Sequence, residues 1–177
     1  AEAHFNLGHL HLLMGRYEEG WKEYAWRRQV AEFNHAQRPY AQPVWDGVNP
    51  DGKTLFFYPE QGLGDLFQFV RYLPLVAAKG GRIILEIPTQ MARLFEGFDG
   101  AHTLALPETP LPHFDCHASL LDLPGIMGTN LEIIPCSAFN PFSLNMCHKI
   151  HSTSTGIHCF VTSRINRRIP RPTWTTL

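Results

Sequence analysis

The feature that most constrains the fold is a strand, a glycine-rich loop, a helix and a second strand within residues 53–87. Residues 54–58 form a continuous apolar run, as expected of a strand buried on both faces. The loop that follows contains Gly62 and Gly64, and the next thirteen residues, 66–78, carry apolar side chains at helical spacing. The spacing predicts a β-loop-α-β unit. The loop is predicted to lie at the carboxyl edge of a parallel sheet, where α/β proteins bind ligands.

The same alternation continues to about residue 135. Residues 82–87 form the second strand, and residues 89–95 are predicted to form a short helix. Two further strands are predicted at 102–106 and 114–118. Strands that alternate with helices indicate an α/β fold with a parallel sheet.

Residues 1–30 are predicted to form a pair of helices. Tyr17, Trp21 and Tyr24 share one helical face, and Gly8 and Gly20 would let the two helices approach closely. The pattern follows one tetratricopeptide repeat, although an ordinary helical hairpin is the alternative. The motif positions are Leu7, Gly8, Gly15, Tyr17, Gly20 and Tyr24.

Residues 31–52 are predicted to be a linker, because prolines and glycines interrupt them and few periodic apolar positions remain. Trp45 is the exception. An indole within such a segment is expected to anchor the linker against a neighbouring domain.

The composition changes after residue 135. Residues 1–135 hold ten basic and sixteen acidic residues, a net charge of −6, whereas residues 136–177 hold five basic and no acidic residues. The tail is rich in Ser and Thr and has no lasting periodicity. It is predicted to be irregular or disordered, or not native to the fold because it is translated from the wrong frame. A nucleic-acid arm is disfavoured, because aromatic and basic residues do not alternate there.

Several classes of protein are excluded. No run of 18 apolar residues exists, so no membrane span is expected. The N-terminus lacks the pattern of a signal peptide.

The chain begins in a helical pattern without Met, and we therefore expect a fragment. Its four cysteines form no C-x-x-C pair, which favours a reducing compartment and a cytoplasmic location.

The loop admits three interpretations. A dinucleotide site is suggested by the spacing of Gly62 and Gly64 and by Glu86 at the end of the next strand. That interpretation is disfavoured, because Phe67 replaces the third glycine and Asp65 would repel a pyrophosphate.

The other two interpretations assign a role to Asp65. At the start of a helix, this carboxylate is expected to stay ionised at neutral pH and could accept a proton from a sugar hydroxyl. It could equally cap the helix through backbone N–H groups, and the two roles are compatible.

The segment from Glu60 to Tyr72 resembles that of a particular bacterial family. Its members join tetratricopeptide repeats to a heptosyltransferase-like glycosyltransferase domain of the GT-B type. The linker sequence at 43–47 is also similar, as are Leu123-Pro124 and Ile134-Pro135. The resemblance covers about residues 1–135.

The resemblance implies two Rossmann-like domains, the first for an acceptor and the second for a nucleotide-sugar. Residues 53–135 would be the acceptor-side half domain. Transfer would invert the anomeric configuration of the sugar. It would need no metal or cofactor beyond the nucleotide-sugar co-substrate. Asp65 would be the catalytic base. The substrate-binding residues implied are Glu60, Gln61, Gly62, Gly64 and Gln68.

The chain departs from that family after Ile134-Pro135, where a second strand–helix series should begin. Residues 136–177 show no such series, so the chain is expected to lack a donor site and to be inactive by itself. The rival interpretation is a non-catalytic module that binds a protein partner through the helical repeat.

No metal site is assigned. His113, Cys116 and His117 lie close in sequence, but alternation along a strand would direct Cys116 and His117 to opposite faces, and no second pair follows at a zinc spacing. His117 is a weaker candidate for the acceptor cleft.

Overall fold

The structure, a computed structural model, describes residues 1–31, 33 and 38–135. The tail at 136–177, with its predicted disorder and its three cysteines, lies outside the described residues. Within the described part, no helix has the length and apolar character needed to cross a membrane.

The N-terminal part is a helix pair, as predicted. Helix α1 spans Glu2–Leu13 and α2 spans Tyr17–Tyr24, followed by a 3-10 helix at Ala25–Gln29. A Cβ on Gly8 would lie 2.6 Å from the backbone nitrogen of Tyr24, and one on Gly20 would lie 2.7 Å from the side chain of Leu12. The predicted close approach through these two glycines is therefore confirmed.

The remainder is built on a four-stranded parallel sheet, which confirms the predicted fold class. Its strands are β1 (Thr54–Tyr58), β2 (Arg82–Glu86), β3 (Thr103–Ala105) and β4 (Cys116–Ser119). The order is β3-β2-β1-β4, and every pairing is parallel. Strand β1 therefore has a neighbour on each side.

The crossover from β1 to β2 differs in detail from the single helix predicted at 66–78. Helix α3 begins three residues earlier and spans Leu63–Phe69; a 3-10 turn at Val70–Tyr72 and helix α4 (Leu73–Ala77) follow. Pro74 lies in the first turn of α4 and has no N–H to continue the α3 ladder, which explains the interruption.

Short helical segments complete the fold. A 3-10 turn at Thr89–Met91 and helix α5 (Ala92–Phe95) follow β2. A 3-10 turn at Leu120–Asp122 and helix α6 (Leu123–Ile126) follow β4.

Strand β1 is buried on both faces. Leu55 and Phe57 pack into the main core with side chains from α3 and α4, whereas Phe56 and Tyr58 belong to a second cluster on the opposite face. Leu55, Phe56 and Phe57 are fully buried. Burial of each such side chain contributes about 1.5–3 kcal/mol, so this strand is a major source of stability.

The linker is fixed to the edge of the sheet beside β4. Val44 forms a parallel bridge with His117, and the Trp45 N–H donates to the His117 carbonyl at 2.7 Å. The buried indole of Trp45 packs edge-to-face on Phe57 and donates from Nε1 to the carbonyl of Val48. Trp45 is thus an anchor, as predicted.

We expect Gly8→Ala to destabilise the protein by about 1–3 kcal/mol, because its Cβ would press on the Tyr24 backbone and force the helices apart. Urea denaturation monitored by circular dichroism measures the change. Asn6→Ala, an exposed substitution on α1, is the matched control and should be nearly neutral. An equally stable Gly8→Ala variant would contradict the close helix packing.

Candidate functional site

The glycine-rich loop lies where the strand order changes direction. The chain passes from β1 to β2 to β3 on one side and then returns to place β4 on the other side of β1. The loops after β1 and β4 therefore diverge at the carboxyl edge of the sheet. Open α/β sheets bind ligands in the crevice at such a point.

Gly62 and Gly64 differ from the glycines at which the chain packs closely, such as Gly8. Gly62 is the N-cap of α3 with φ −73°, and neither glycine has a positive φ. A Cβ on either residue would meet no atom within 4 Å among the described residues, whereas one on Gly8 would clash. Neither backbone conformation nor internal packing requires glycine here. The space beside these two glycines is therefore open to close approach by another molecule.

Asp65 lies in the first turn of α3 and is half-buried. Burial raises the pKa of its carboxyl group, and the negative charge of Glu60 raises it further, while a hydrogen bond with the Gly62 backbone opposes both. The carboxyl group thus faces the backbone of Gly62, the N-cap residue of α3, as a capping role would require. A raised pKa also makes it a better proton acceptor when ionised.

Glu60 faces the helix pair. Its two oxygens accept hydrogen bonds from Nε and Nη2 of Arg27 at 2.9 and 2.8 Å, and its side chain is only 7% exposed. Its predicted role beside the acceptor would require release from Arg27. Gln61 and Gln68 are exposed and can contact a ligand without such a change.

The same arginine reaches the loop after β4, an arrangement that the sequence did not reveal. Arg27 donates from Nη2 to Asp122 at 2.6 Å, and Arg28 donates to the other oxygen of Asp122. Both Arg27 and Asp122 are buried. A single guanidinium therefore joins the two loops that diverge at the switch point.

One local signal could have identified Asp122. Ser119 ends β4 and Asp122 follows three residues later, a spacing typical of a capping box, and the structure shows both hydrogen bonds of that box. Arg27 had no such signal, because its partners lie 33 and 95 residues away.

The structure also bears on the disfavoured dinucleotide interpretation. Both oxygens of Glu86 accept hydrogen bonds from Arg38, at 2.6 and 3.0 Å, so a ribose would have to displace this arginine. Phe67, at the position of the third glycine, stacks on Phe95.

Cys116 and His117 point to opposite faces, as strand alternation predicted. Cys116 belongs to the main core, whereas the His117 ring lies beside Tyr58, with its Nδ1 3.4 Å from the phenol oxygen. Burial lowers the pKa of His117. The suggestion that His117 reaches the acceptor cleft is therefore wrong, because the ring is buried within the second face of the sheet. Within the described residues, no three metal-binding side chains cluster.

A groove adjoins this site on the side of the helix pair. It encloses about 710 Å³ between α2, the linker around Trp45 and the segment that contains α6. Arg27, Arg28 and Asp122 form part of its wall, so the groove borders the ion pairs that join the helix pair to Glu60 and Asp122.

Comparisons with known proteins give one partial similarity. No family model matches the chain, and no solved structure matches it. The chain is 36% identical over 88 residues to Protein FlbA of Caulobacter vibrioides. The similarity covers 48% of this chain and 15% of FlbA.

The carboxyl group of Asp65 is expected to titrate at a higher pH in the folded protein than in the unfolded chain, because burial raises its pKa. The folded state then binds more protons than the unfolded state. The free energy of unfolding therefore falls as the pH rises from the pKa of Asp65 in the unfolded chain through its pKa in the folded protein. Carboxyl-carbon NMR titration in buffer and in urea measures both values. A pKa of Asp65 in the folded protein that is equal to or below its pKa in urea would contradict this prediction.

Asp65→Asn supplies the corresponding control, since it removes the titrating group at nearly constant volume. Its melting temperature relative to the unsubstituted protein should increase with pH over that window.

Proposed function

We propose that this chain is the acceptor-binding part of a glycosyltransferase that moves a sugar from a nucleotide-sugar to an acceptor hydroxyl. The observation that carries the proposal is the half-buried Asp65, placed at the carboxyl edge of the sheet beside two glycines that no internal contact explains. The resemblance of the segment from Glu60 to Tyr72 supports the same assignment.

The chemistry follows from the position of Asp65. Its carboxylate takes the proton of the acceptor hydroxyl, and the hydroxyl oxygen attacks the anomeric carbon. The bond from the anomeric carbon to the nucleoside diphosphate breaks on the opposite side. The anomeric configuration of the sugar is therefore inverted, and the nucleoside diphosphate leaves. Burial raises the pKa of Asp65, which increases its basicity without a metal ion.

The side chains around Asp65 fit an acceptor with several hydroxyl groups. Gln61 and Gln68 are exposed, and their amides can each donate and accept hydrogen bonds. Gly62 and Gly64 let the acceptor approach the start of α3. The resemblance assigns the nucleotide-sugar to a second Rossmann-like domain, and the described residues form one sheet. A cytoplasmic location is part of the same proposal.

The gene provides the first test. The coding sequence beyond codon 135, read in all three frames, should encode a second strand–helix series with a nucleotide-binding loop. The absence of such a series would favour the interaction module over the enzyme.

In the protein that carries both parts, Asp65→Asn should lower the release of nucleotide from UDP-, GDP- and ADP-sugars by about 100-fold or more, as expected for loss of a general base. A heat-treated cell extract supplies acceptors. Asp99→Asn, an exposed acid on the same domain, should retain activity. Near-normal turnover by Asp65→Asn would contradict its assignment as the base.

Gly64→Ala separates function from stability. Gly64 lies within α3 with open space at its Cβ position, so alanine should stabilise the protein by about 0.5 kcal/mol. The new methyl group would nevertheless obstruct the acceptor, and transfer should fall at least about tenfold. Thermal melting and the nucleotide-release assay measure the two effects. Arg93→Ala, an exposed change in α5, is the control, and unchanged transfer by Gly64→Ala would contradict an acceptor at this loop.

The rival function, a non-catalytic module that binds a protein partner, is favoured by one observation. Helix α1 and its C-cap residue expose a row of large apolar side chains: Leu7, Leu10, Leu13 and, at the C-cap, Met14. A gene-replacement experiment distinguishes the two functions. If Leu10→Glu abolishes the phenotype conferred by the gene and Asp65→Asn does not, the module is correct; the opposite result supports the enzyme.

A further inference from the structure

Arg27 of the helix pair occupies the switch point of the sheet. Its guanidinium donates two hydrogen bonds to Glu60, directly after β1, and one to Asp122, directly after β4. The side chain is 1% exposed. The helix pair thus inserts a buried cation between the two loops whose divergence creates the crevice.

This contact acts directly on the candidate acceptor loop. Glu60 immediately precedes Gln61 and Gly62, and the carbonyl of Gly62 accepts the N–H groups of Asp65 and Leu66 at 3.1 and 3.3 Å. Only one residue therefore separates the carboxylate fixed by Arg27 from the first hydrogen-bonded turn of α3. Fixing Glu60 limits the positions that Asp65 can adopt.

We propose that Arg27 is a positioning residue, through which the helix pair holds the loop at 60–65 and Asp65 in place. The helix pair is then a working part of the acceptor site as well as an attached module. The importance of that position for transfer rests on the proposed function, whereas the mechanical link does not.

The chemistry of the contact requires arginine. The planar guanidinium bonds both oxygens of Glu60 while a remaining N–H reaches Asp122. Its carbon also lies 5.0 Å from the centre of the Tyr24 ring. A lysine would supply the charge as a single point and could not maintain all these directions.

The helix pair has a second attachment that makes the proposal testable. Nε1 of Trp21 donates to the carbonyl of Thr129 at 2.9 Å, and α2 packs on α6 there. Loss of Arg27 therefore leaves the helix pair docked through Trp21. Arg27→Gln should release the loop without releasing the helices.

Hydrogen exchange of the folded protein measures this release. Arg27→Gln should accelerate exchange at the amides of Asp65, Leu66 and Leu121 by about tenfold or more, while the amides of β1 and β2 change little. Arg27→Lys should show an intermediate effect. Arg93→Gln, an exposed arginine on α5, is the control and should change neither region. Uniform acceleration across the sheet, or no acceleration at the loops, would overturn the proposal.

A double variant separates positioning from simple charge neutralisation. Arg27→Gln together with Glu60→Gln removes a buried cation and a buried anion, so global stability should recover relative to Arg27→Gln alone. Asp122 retains Arg28 in this variant. The loop amides should nevertheless remain fast to exchange. Restored protection at the loop would show that Arg27 acts only as a counter-charge and would overturn the positioning role.

The nucleotide-release assay then links the two proposals. In the protein with both parts, Arg27→Gln should lower kcat about tenfold or more and leave KM for the nucleotide-sugar unchanged, because the displaced group is Asp65. If the unsubstituted protein releases no nucleotide, the glycosyltransferase proposal fails, and the exchange result still decides the role of Arg27. Transfer by Arg27→Gln at the normal rate, in an active protein, would contradict positioning.

Discussion

The burial of β1 on both faces is the constraint on which the rest of the structure depends. The two core clusters cover its two faces, and β2 and β4 pair in parallel with its two edges. Parallel pairing places the carboxyl ends of all strands at one edge. The glycine-rich loop and Asp65 lie at that edge because they follow β1, so their position is a consequence of the core.

The buried charges at this edge affect both the stability of the fold and the orientation of its parts. Arg27, Glu60 and Asp122 are almost entirely removed from water, and desolvation of such charges costs several kcal/mol for each ion. Their mutual hydrogen bonds offset that cost, and removal of one member leaves its partners buried without compensation. An apolar contact would have joined the same elements at lower cost. The directional contact fixes the orientation of the helix pair relative to both loops.

The glycines separate into two groups with different physical causes. Gly8 and Gly20 allow two helices to touch, and a Cβ on either would meet the opposite helix within 3 Å. Gly62 and Gly64 contact nothing comparable among the described residues. The first pair is explained by the fold of the chain, and the second is explained by an approaching ligand in the proposed function. The sequence predicted the close helix approach at the first pair, and the structure adds that the second pair has open space at its Cβ positions.

The sequence by itself determined the helix pair, the parallel class of the sheet and the loop after β1, because apolar periodicity and local turn chemistry encode each of them. It also indicated the anchoring role of Trp45, because a single indole stands in a segment interrupted by prolines and glycines. It did not determine the break before Pro74 or the strand order. Only the tertiary structure decided that Glu60 faces Arg27, and that this arginine also reaches Asp122, 95 residues away in sequence. Contacts of this kind depend on how distant elements meet in three dimensions, and no local pattern records them.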